Sequence, residues 1–389
     1  MRKGWEYKKL GEVLETTSGG TPSKSHKEYY EGGTIPWLRS GEVSKGDIYD
    51  AELYITEEGL KKSSAKLFPI DTVLIAMYGA TVGQVGILKS TMCTNQAICG
   101  ILPNKDFHPN FLKYVLLANK KNYLKQAMGG AQPNISQQVI KSTYIPIVKF
   151  SEQESVVSEL DKINELIRLK KEQLKDFDNL TQSLFYEMFG DPVENEMGWE
   201  VKKLGEICTD ITDGDHMPPP KSESGIPFIT ISDIDKDTRC LNFENTFYVP
   251  EDYYNNLKEN RKPQKGDLLY TVTGSYGIPV IVKTDKRFCF QRHIALLRPN
   301  KEILSTIFLC YWVLSDGVKF MADKVATGIA QKTVGLNSIR KFSCILPPLP
   351  LQRLFAQRIE QIEREKSEVQ KSIQDLETLL ASRMQYWFE

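Results

Sequence analysis

Two stretches of the chain repeat their hydrophobic residues in alternating steps of four and three. In each stretch eight of the ten positions are apolar. A strict heptad over this length is typical of a coiled-coil seam, because a surface helix of a globular domain has a wider apolar face. The first stretch comprises Val156, Leu160, Ile163, Ile167, Lys170, Leu174, Phe177, Thr181, Leu184 and Met188. The second comprises Phe355, Ile359, Ile362, Lys366, Val369, Ile373, Leu376, Leu380, Arg383 and Trp387.

The heptads predict two long helices, 199 residues apart, that pack on each other. A helix from about 151 to 188 is roughly 57 Å long at 1.5 Å per residue, which makes it a spacer of defined length. A glycine and a proline, Gly190 and Pro192, predict where the first helix ends. The seam that we expect comprises Leu160, Ile163, Ile167, Leu174, Phe177, Ile359, Ile362, Val369, Ile373 and Leu376.

Polar residues interrupt both seams, at Lys170 and Thr181 in the first and at Lys366 and Arg383 in the second. One interpretation is that long side chains simply reach solvent from the seam. The other is that they fix the register between the helices. The sequence leaves both open.

The chain also contains an internal repeat of nearly 200 residues. The offset between matching segments stays between 191 and 199, so the two halves share a fold and differ by small insertions. Duplication for stability alone, as in a solenoid, would give far shorter units, whereas this unit is a whole domain with an appendage. The matching pairs are 4–12 (GWEYKKLGE) with 198–206 (GWEVKKLGE), 103–105 with 299–301, 131–132 with 330–331, and Gln153 with Gln352.

Each half combines a globular part with one long helix. Buried strands are predicted at 72–76 and 268–272, and each leads into a glycine-rich bend; helices are predicted at 111–125 and 304–323. The fold class is therefore α/β (α+β), with two similar globular domains separated by two long helices. The predicted limits are 1–150 and 191–349 for the domains, and 151–190 and 350–389 for the helices.

Composition is that of a soluble globular protein, with 41% hydrophobic and 26% charged residues. The net charge of zero is the sum of segments with opposite charge. Basic residues exceed acidic residues by six in 1–150 and by two in 198–349, whereas acidic residues exceed basic residues by seven in 151–197. A modest basic surplus in both domains permits contact with phosphates without requiring it. The N-terminus lacks a signal peptide and no apolar run is long enough to span a membrane, so we expect a cytoplasmic protein.

The pattern of candidate catalytic residues favours no chemistry in this chain. Seven scattered cysteines without a Cys-x-x-Cys pair, and four dispersed histidines, favour reduced, buried thiols over disulfides or a metal site. The proline pairs are not part of the Asn/Asp-Pro-Pro-aromatic element that an amino methyltransferase needs. The glycine-rich segment 79–86 does not contain the Gly-Lys-Ser/Thr sequence of a P-loop. The Glu-x-Lys triplets at Glu6 and Glu200 resemble part of a nuclease site, but such triplets are common by chance. We expect no catalytic residue, metal or cofactor here.

Several motifs together resemble the specificity subunit of type I restriction–modification systems. They are the two W-x-x-K-K-L-G-E openings, the Ile-Pro-aromatic elements at 35–37 and 226–228, the TNQA of 94–97, and the proline-bearing entries to both long helices. The resemblance covers essentially the whole chain. Individual motifs are loose, but the order of domain, helix, domain, helix is distinctive.

The resemblance implies two target-recognition domains that each read half of a bipartite double-stranded DNA site, joined by an antiparallel coiled coil that sets the unread gap. It implies two methyltransferase (modification) subunits as partners, with motor-nuclease (restriction) subunits in the larger complex. S-adenosylmethionine, ATP and Mg would then belong to those partners, which methylate adenine and cleave DNA. This chain would be a non-catalytic subunit without contact to membranes.

Loops rich in amides, hydroxyls, cations and glycines are the candidates for DNA contact, because base edges and phosphates need such groups. In the first domain we expect contact from Thr21, Lys24, Arg39, Ser40, Tyr78, Gly79, Thr81, Gln96, Gln132 and Asn134. In the second we expect it from His216, Thr230, Ser232, Thr273, Ser275, Tyr276, Gln291, Arg292, His293, Gln331, Lys332 and Thr333.

Each candidate also has a plain structural interpretation. Gln96 and Gln291 fall at equivalent places of the repeat, so a shared structural hydrogen bond competes with base contact. For Gly79 the competing interpretation is a turn with positive φ, and for His216 it is an ordinary surface histidine. Two other functions compete with the leading one: a coiled-coil scaffold without sequence-selective DNA binding and, less favoured, a stand-alone nuclease.

Overall fold

The computed structural model describes residues 2, 4–127, 133–214, 216, 218–328 and 331–389. The chain forms two compact units, and each unit combines a globular part with parts of both long helices. Unit 1 comprises Met1–Lys171 and Lys371–Glu389, and unit 2 comprises Glu172–Gln370. The predicted α/β (α+β) class is confirmed.

The globular part of unit 1 is built on two mixed sheets and a two-stranded pair. Their orders are β2-β10-β7-β8-β4, β5-β3-β9-β6 and β1-β11, with β3–β9 and β4–β8 parallel and the other neighbours antiparallel. The strands are β1 (Glu6–Lys9), β2 (Thr16–Ser18), β3 (Ile35–Leu38), β4 (Asp47–Ile48), β5 (Tyr54–Ile55), β6 (Leu67–Phe68), β7 (Val73–Ala76), β8 (Val85–Leu88), β9 (Met92–Thr94), β10 (Ile98–Ile101) and β11 (Tyr144–Ile147).

The first half contains several short helices, followed by one long helix. They are α1 (Leu10–Val13), α2 (Glu57–Lys61), α3 (Pro109–Ala118), α4 (Lys120–Gln126), α5 (Gln137–Lys141) and α6 (Phe150–Phe189), with 3₁₀ turns at Lys27–Tyr29, Ser40–Lys45 and Gly79–Thr81. Strand β7 is buried on both faces, as its continuous apolar run predicts. A proline at the first position and His108 as N-cap start α3.

Unit 2 repeats this plan. Its sheets have the orders β13-β21-β18-β19 and β17-β14-β20, with two-stranded pairs β12-β22 and β15-β16. The strands are β12 (Glu200–Lys203), β13 (Cys208–Asp213), β14 (Ile226–Ile229), β15 (Ile234–Asp235), β16 (Cys240–Leu241), β17 (Phe247–Val249), β18 (Leu268–Thr271), β19 (Pro279–Ile281), β20 (Cys289–Phe290), β21 (Ile294–Pro299) and β22 (Ser343–Leu346). The helices are α7 (Leu204–Ile207), α8 (Glu251–Asn255), α9 (Thr306–Leu314), α10 (Asp316–Val325), α11 (Leu336–Arg340) and α12 (Leu349–Phe388), with 3₁₀ turns at Ile231–Asp233 and Glu259–Arg261.

The predicted helices 111–125 and 304–323 are each broken into two. The first break lies at Asn119, whose side chain donates to the Val115 carbonyl at 2.9 Å. The second lies at Ser315, which has an extended backbone and whose hydroxyl donates to the Trp312 carbonyl at 2.7 Å. Local hydrogen bonds from short polar side chains therefore end the first helix of each pair.

The two long helices run antiparallel within each unit. In unit 1, Lys171 of α6 pairs with Glu377 of α12 at 2.8 Å, and Glu159 pairs with Arg383. In unit 2, Lys366 of α12 pairs with Asp178 of α6 at 2.7 Å. Helix α6 ends before Gly190, whose φ of 72° confirms the predicted glycine stop.

The helix ends pack on their domains in matching ways. Phe388 lies 5.7 Å from Phe111 of α3 in unit 1, and Phe189 lies 4.9 Å from Phe308 of α9 in unit 2, each edge to face. Such pairs add about 1 kcal/mol beyond area burial. Each helix end therefore belongs to a domain core.

The seven cysteines are free thiols, of which Cys240 alone is exposed. Burial raises the pKa of Cys93 to about 11 and that of Cys99 to about 12, so these thiols stay protonated at neutral pH. Within the ranges that the structure describes, we find no helix both long enough and apolar enough to cross a membrane.

Candidate DNA interface

A pocket of about 540 Å³ in unit 1 brings together four of the predicted contact residues. They are Thr21, Lys24, Arg39 and Gln96. Gly19 allows the segment after β2 to approach the end of β9 closely, because a Cβ at this position would lie 2.2 Å from the Thr94 carbonyl oxygen. Thr21 then donates a hydrogen bond to the Gln96 side chain.

Arg39 is held at this pocket by a capped turn. Strand β3 ends at Leu38, and the Ser40–Lys45 turn follows. The buried carboxylate of Glu42 accepts hydrogen bonds from the Arg39 backbone N–H at 3.1 Å and from the Glu52 backbone N–H at 3.0 Å. The backbone is therefore fixed while the Arg39 side chain remains half exposed.

Four charged side chains surround this turn. The Arg39 guanidinium donates to Glu52 at 2.5 Å, and Lys45 lies 3.2 Å from Glu42 and 3.3 Å from Glu52. Hydrogen bonds from Lys45, and then from Arg39, hold the pKa of Glu52 below its ordinary value. Glu52 is therefore ionised at neutral pH. Sequence reasoning missed Glu42 and Lys45, which lie in the same turn as Arg39, and it missed Glu52, which β3–β5 pairing brings to Arg39 from elsewhere in the chain.

The remaining candidates of unit 1 form a neighbouring group. Tyr78 and Asn134 face each other in an isolated β-bridge, and the Gly79 N–H donates to the Pro133 carbonyl at 2.9 Å. Gly79 has a φ of 73°, so a turn requires it. Thr81 donates to the Tyr78 carbonyl at 3.2 Å. Ser40 opens the 3₁₀ turn, and Gln132 lies outside the described residues.

Strand register makes the two units comparable residue by residue. The Asn95 N–H donates to the Leu38 carbonyl in unit 1, and the Gln291 N–H donates to the Ile229 carbonyl in unit 2, both at 2.9 Å. Asn95 therefore corresponds to Gln291, and Gln96 corresponds to Arg292. The expected equivalence of Gln96 and Gln291 is wrong by one residue, because loop insertions before these strands obscure the alignment.

Unit 2 brings its own candidates to the equivalent surface. A Cβ on Gly214 would lie 1.9 Å from the Phe290 carbonyl oxygen, so the His216 loop approaches the Gln291–His293 loop closely. His216 contacts Asp213 at 3.0 Å. The Arg292 guanidinium lies 3.4 Å from the His293 ring, whose pKa is lowered by burial and by the Arg292 charge. His293 is therefore neutral at neutral pH.

The other candidates of unit 2 are partly engaged within the protein. Thr230 hydrogen-bonds Asp233 and Ser232, both at 2.7 Å. Thr273 is buried and accepts from Thr333 at 3.3 Å, so the Thr333 O–H donor is already used within the protein. The Lys332 carbonyl accepts from the Gly274 N–H at 3.0 Å, and Ser275 accepts from Lys236 at 3.1 Å. The Tyr276 hydroxyl donates to Asp323 at 2.5 Å, and Gln331 is exposed.

The predicted seam residues differ in how far they are buried. Seven are buried: Leu160, Ile163, Ile167, Ile359, Ile362, Val369 and Ile373. Leu174, Phe177 and Leu376 are half buried. Of the interrupting residues, Thr181 donates to the Asp178 carbonyl of its own helix, whereas Lys366 and Arg383 reach carboxylates of the other helix.

The Glu-x-Lys triplets form no acidic cluster. Glu6 pairs with Lys8 at 3.3 Å and Glu200 with Lys202 at 3.2 Å, on strand positions that are exposed or, for Lys202, half exposed. In the described part of the chain, no group of His, Cys, Asp and Glu side chains is arranged to hold a metal ion.

The family model described as type I restriction modification DNA specificity domain matches this chain twice, at residues 2–176 and 196–378. The chain belongs to this family. Its two matched regions cover the surfaces described above. It is 25% identical to the type I restriction enzyme MjaIX specificity subunit of Methanocaldococcus jannaschii, over 97% of this chain and 91% of that protein. It is 24% identical to the EcoKI specificity subunit of Escherichia coli K12, over 96% of this chain and 85% of that protein.

Solved structures show the same fold. A chain from a type I R-M system, studied for complex assembly and conformational transition, matches with a TM-score of 0.66 and 21% identity, over 100% of this chain and 98% of that one. The type I restriction–modification S subunit from M. genitalium matches with a TM-score of 0.53 and 14% identity, over 99% and 96%.

Membership of the specificity family assigns this chain DNA recognition and a non-catalytic role. Subunits of this type act with modification and restriction subunits, and the family implies no catalytic cofactor in the specificity chain. The nuclease and scaffold alternatives are not favoured.

Proposed function

We propose that the two domains each read one half of a bipartite DNA site, through the pocket surface of unit 1 and the equivalent surface of unit 2. The observation that carries the proposal is the duplication itself. Two copies of one framework hold different side chains at equivalent positions: Gln96 against Arg292, and Arg39 against Thr230. A constant scaffold with divergent loops suits two sites of one kind and different specificity.

The chemistry at these positions supports reading of base edges. Amides, hydroxyls and guanidinium groups pair with the donor and acceptor pattern of the major groove. Lys24 and the glycine-rich turn at Gly79 offer contacts to phosphate. Thr273 and Thr333 are weaker candidates, because they bond each other and Thr273 is buried. Contact by the remaining predicted residues, including Gln132, stays part of the proposal.

The long helices supply the spacing and the partner surface in this proposal. Helices α6 and α12 each span 40 residues, so each is about 60 Å long at 1.5 Å per residue. The seam fixes their pairing, and their length bounds the unread gap. We propose that two methyltransferase subunits dock on this framework and methylate adenine, with restriction subunits joining them. S-adenosylmethionine, ATP and Mg belong to those partners, in the cytoplasm.

Selection from random DNA tests the proposed function. The full chain, assembled with the methyltransferase of its own system, is mixed with random duplexes, and bound DNA is sequenced. We expect enrichment of two short conserved blocks around a fixed, unread gap. The methyltransferase without this chain is the control and should enrich no such motif. Binding without sequence enrichment would contradict the proposal and favour the scaffold alternative.

A further inference from the structure

We propose that Arg39 reads a guanine in the half-site of the first domain, and that Glu52 is the positioning residue for its guanidinium. The inference rests on the proposed function and adds a specific base to it. Arg39 is one of the residues that line the unit 1 pocket, beside Gln96 and Lys24. A guanidinium pairs bidentately with the O6 and N7 acceptors of guanine, which is a common base contact of proteins.

The pairing of strands identifies the counterparts of this ion pair in unit 2. Strand β3 pairs with β5 through Ile35 and Ile55, and β14 pairs with β17 through Ile226 and Val249. Counting from these pairs along each strand, Arg39 corresponds to Thr230 and Glu52 corresponds to Thr246. The ion pair of the first domain is therefore replaced, at both positions together, by two threonines.

The surrounding framework does not change with the ion pair. The capping carboxylate is Glu42 in unit 1 and Asp233 in unit 2, and each accepts the backbone N–H three residues earlier, at 3.1 and 2.7 Å. Because the turn is capped in both domains, Arg39 and Glu52 are not needed to build it. Arg39 and Glu52 are both replaced by threonine in the second domain, so they serve a function that differs between the two domains. In this proposal that function is the choice of the base that each domain reads.

The carboxylate also distinguishes a base contact from a phosphate contact. Glu52 lies 2.5 Å from the Arg39 guanidinium and both side chains are about half exposed, at 52% and 49%. A phosphate approaching this guanidinium would meet the like charge of Glu52. A guanine edge would not, and the amino group of its cytosine partner, or of a neighbouring cytosine, can donate to a carboxylate. One Glu52 contact also leaves most of the five guanidinium N–H donors available.

Duplexes containing 7-deazaguanine test this assignment, because that base lacks the N7 acceptor. The full chain with its methyltransferase is bound to duplexes of the selected motif, each carrying the analogue at one guanine. We expect the wild type to bind about tenfold more weakly when one guanine of the first half-site is replaced. Arg39→Thr, which installs the unit 2 residue, should bind both duplexes within about twofold while keeping discrimination in the other half-site.

Three further variants separate the roles. Glu52→Gln should retain affinity but reduce the discrimination, because the guanidinium loses its charged anchor. Arg39→Lys keeps the charge and should also lose discrimination, since lysine lacks the planar guanidinium that pairs bidentately. This variant replaces Arg39→Thr in the test if Arg39→Thr does not fold. Lys61→Thr is the matched control, because Lys61 is exposed on α2 and paired with Glu57 at 3.1 Å. It should discriminate like the wild type.

Full discrimination by a folded Arg39→Thr variant would overturn the inference, as would a first half-site without guanine. An equal loss at every position, with a weaker salt dependence, would overturn it too by identifying a phosphate contact. These results leave the proposed function standing. A wild-type complex that selects no split motif would instead remove the proposed function, and the inference with it.

Discussion

At the scale of single residues, two buried glutamines tie the long helices to their domains. Gln352 accepts from the Ser305 N–H at 2.8 Å and donates to the carbonyls of Ile303 at 3.0 Å and Pro347 at 2.7 Å. Gln153 makes the equivalent three contacts in unit 1. Both side chains are almost fully buried. Each one pairs with one N–H and two carbonyl groups of the backbone, so each holds the start of a helix against its domain.

Replacing Gln352 with leucine should destabilise unit 2. The change leaves one N–H and two carbonyl groups without the partner that they have now, and we expect a loss of about 3 kcal/mol in the free energy of unfolding. Urea denaturation followed by circular dichroism measures it. Gln361→Leu, at an exposed position of the same helix, is the control and should change stability by less than about 0.5 kcal/mol. Equal effects of the two variants would show that the buried contacts contribute little.

The repeat reveals the positions of these glutamines, because Gln153 and Gln352 are 199 residues apart. It cannot reveal their role, since two of the three backbone groups that each one binds lie 45 to 49 residues away along the chain and are brought near by the fold. The same reason explains why Arg39 was a candidate from the sequence while Glu52 was not. A residue type on a loop is visible in a sequence, whereas a partner across a sheet depends on strand register.

At the scale of elements, the heptads predict the long helices well, because eight apolar positions of ten, over about nine turns of helix, outweigh local propensity. Helices 111–125 and 304–323 were predicted as single pieces but break at Asn119 and Ser315. Hydrophobic periodicity continues across such breaks, so it does not show them. The structure also shows what two polar residues of the seams do: Lys366 and Arg383 form ion pairs with carboxylates of the other long helix.

The contact between Glu159 and Arg383 should stabilise unit 1 in a pH-dependent way. Hydrogen bonds from Arg383, with one from Trp387 at 3.1 Å, hold the pKa of Glu159 below its ordinary value of 4.5. A lowered carboxyl pKa gives stability that is present above pH 4.5 and is lost as the pH falls through the folded value. Glu159→Gln should therefore be less stable than the wild type at pH 7, by up to about 1 kcal/mol.

Urea midpoints of both proteins from pH 7 down to the acid range measure this difference, which should shrink as the pH falls. Glu154→Gln, an exposed position on the same helix, should match the wild type throughout. A difference that does not change with pH would contradict the electrostatic explanation. It would mean that Glu159 acts through packing against the aromatic residues of the last turn.

At the scale of the whole molecule, the chain belongs to a family whose members recognise DNA without catalysis, and its two halves repeat one plan. The order of domain and helix, and the resemblance of the openings and proline-bearing entries, made this role predictable from the sequence. The recognised bases were not predictable, because the loops diverge and no simple code relates a side chain to a base. In the proposed function, helices α6 and α12 hold two reading surfaces at a fixed spacing.

Mapping methylated adenines in a methylation-free host tests this claim most directly. The host carries the methyltransferase with either the wild-type chain or a variant lacking 169–175 and 370–376, one heptad from the middle of each helix. The wild type should give one split motif. Seven residues span about 10.5 Å, so the variant should keep both half-sites and shorten the gap by up to about three base pairs. Methylation by the variant with an unchanged gap would contradict the account.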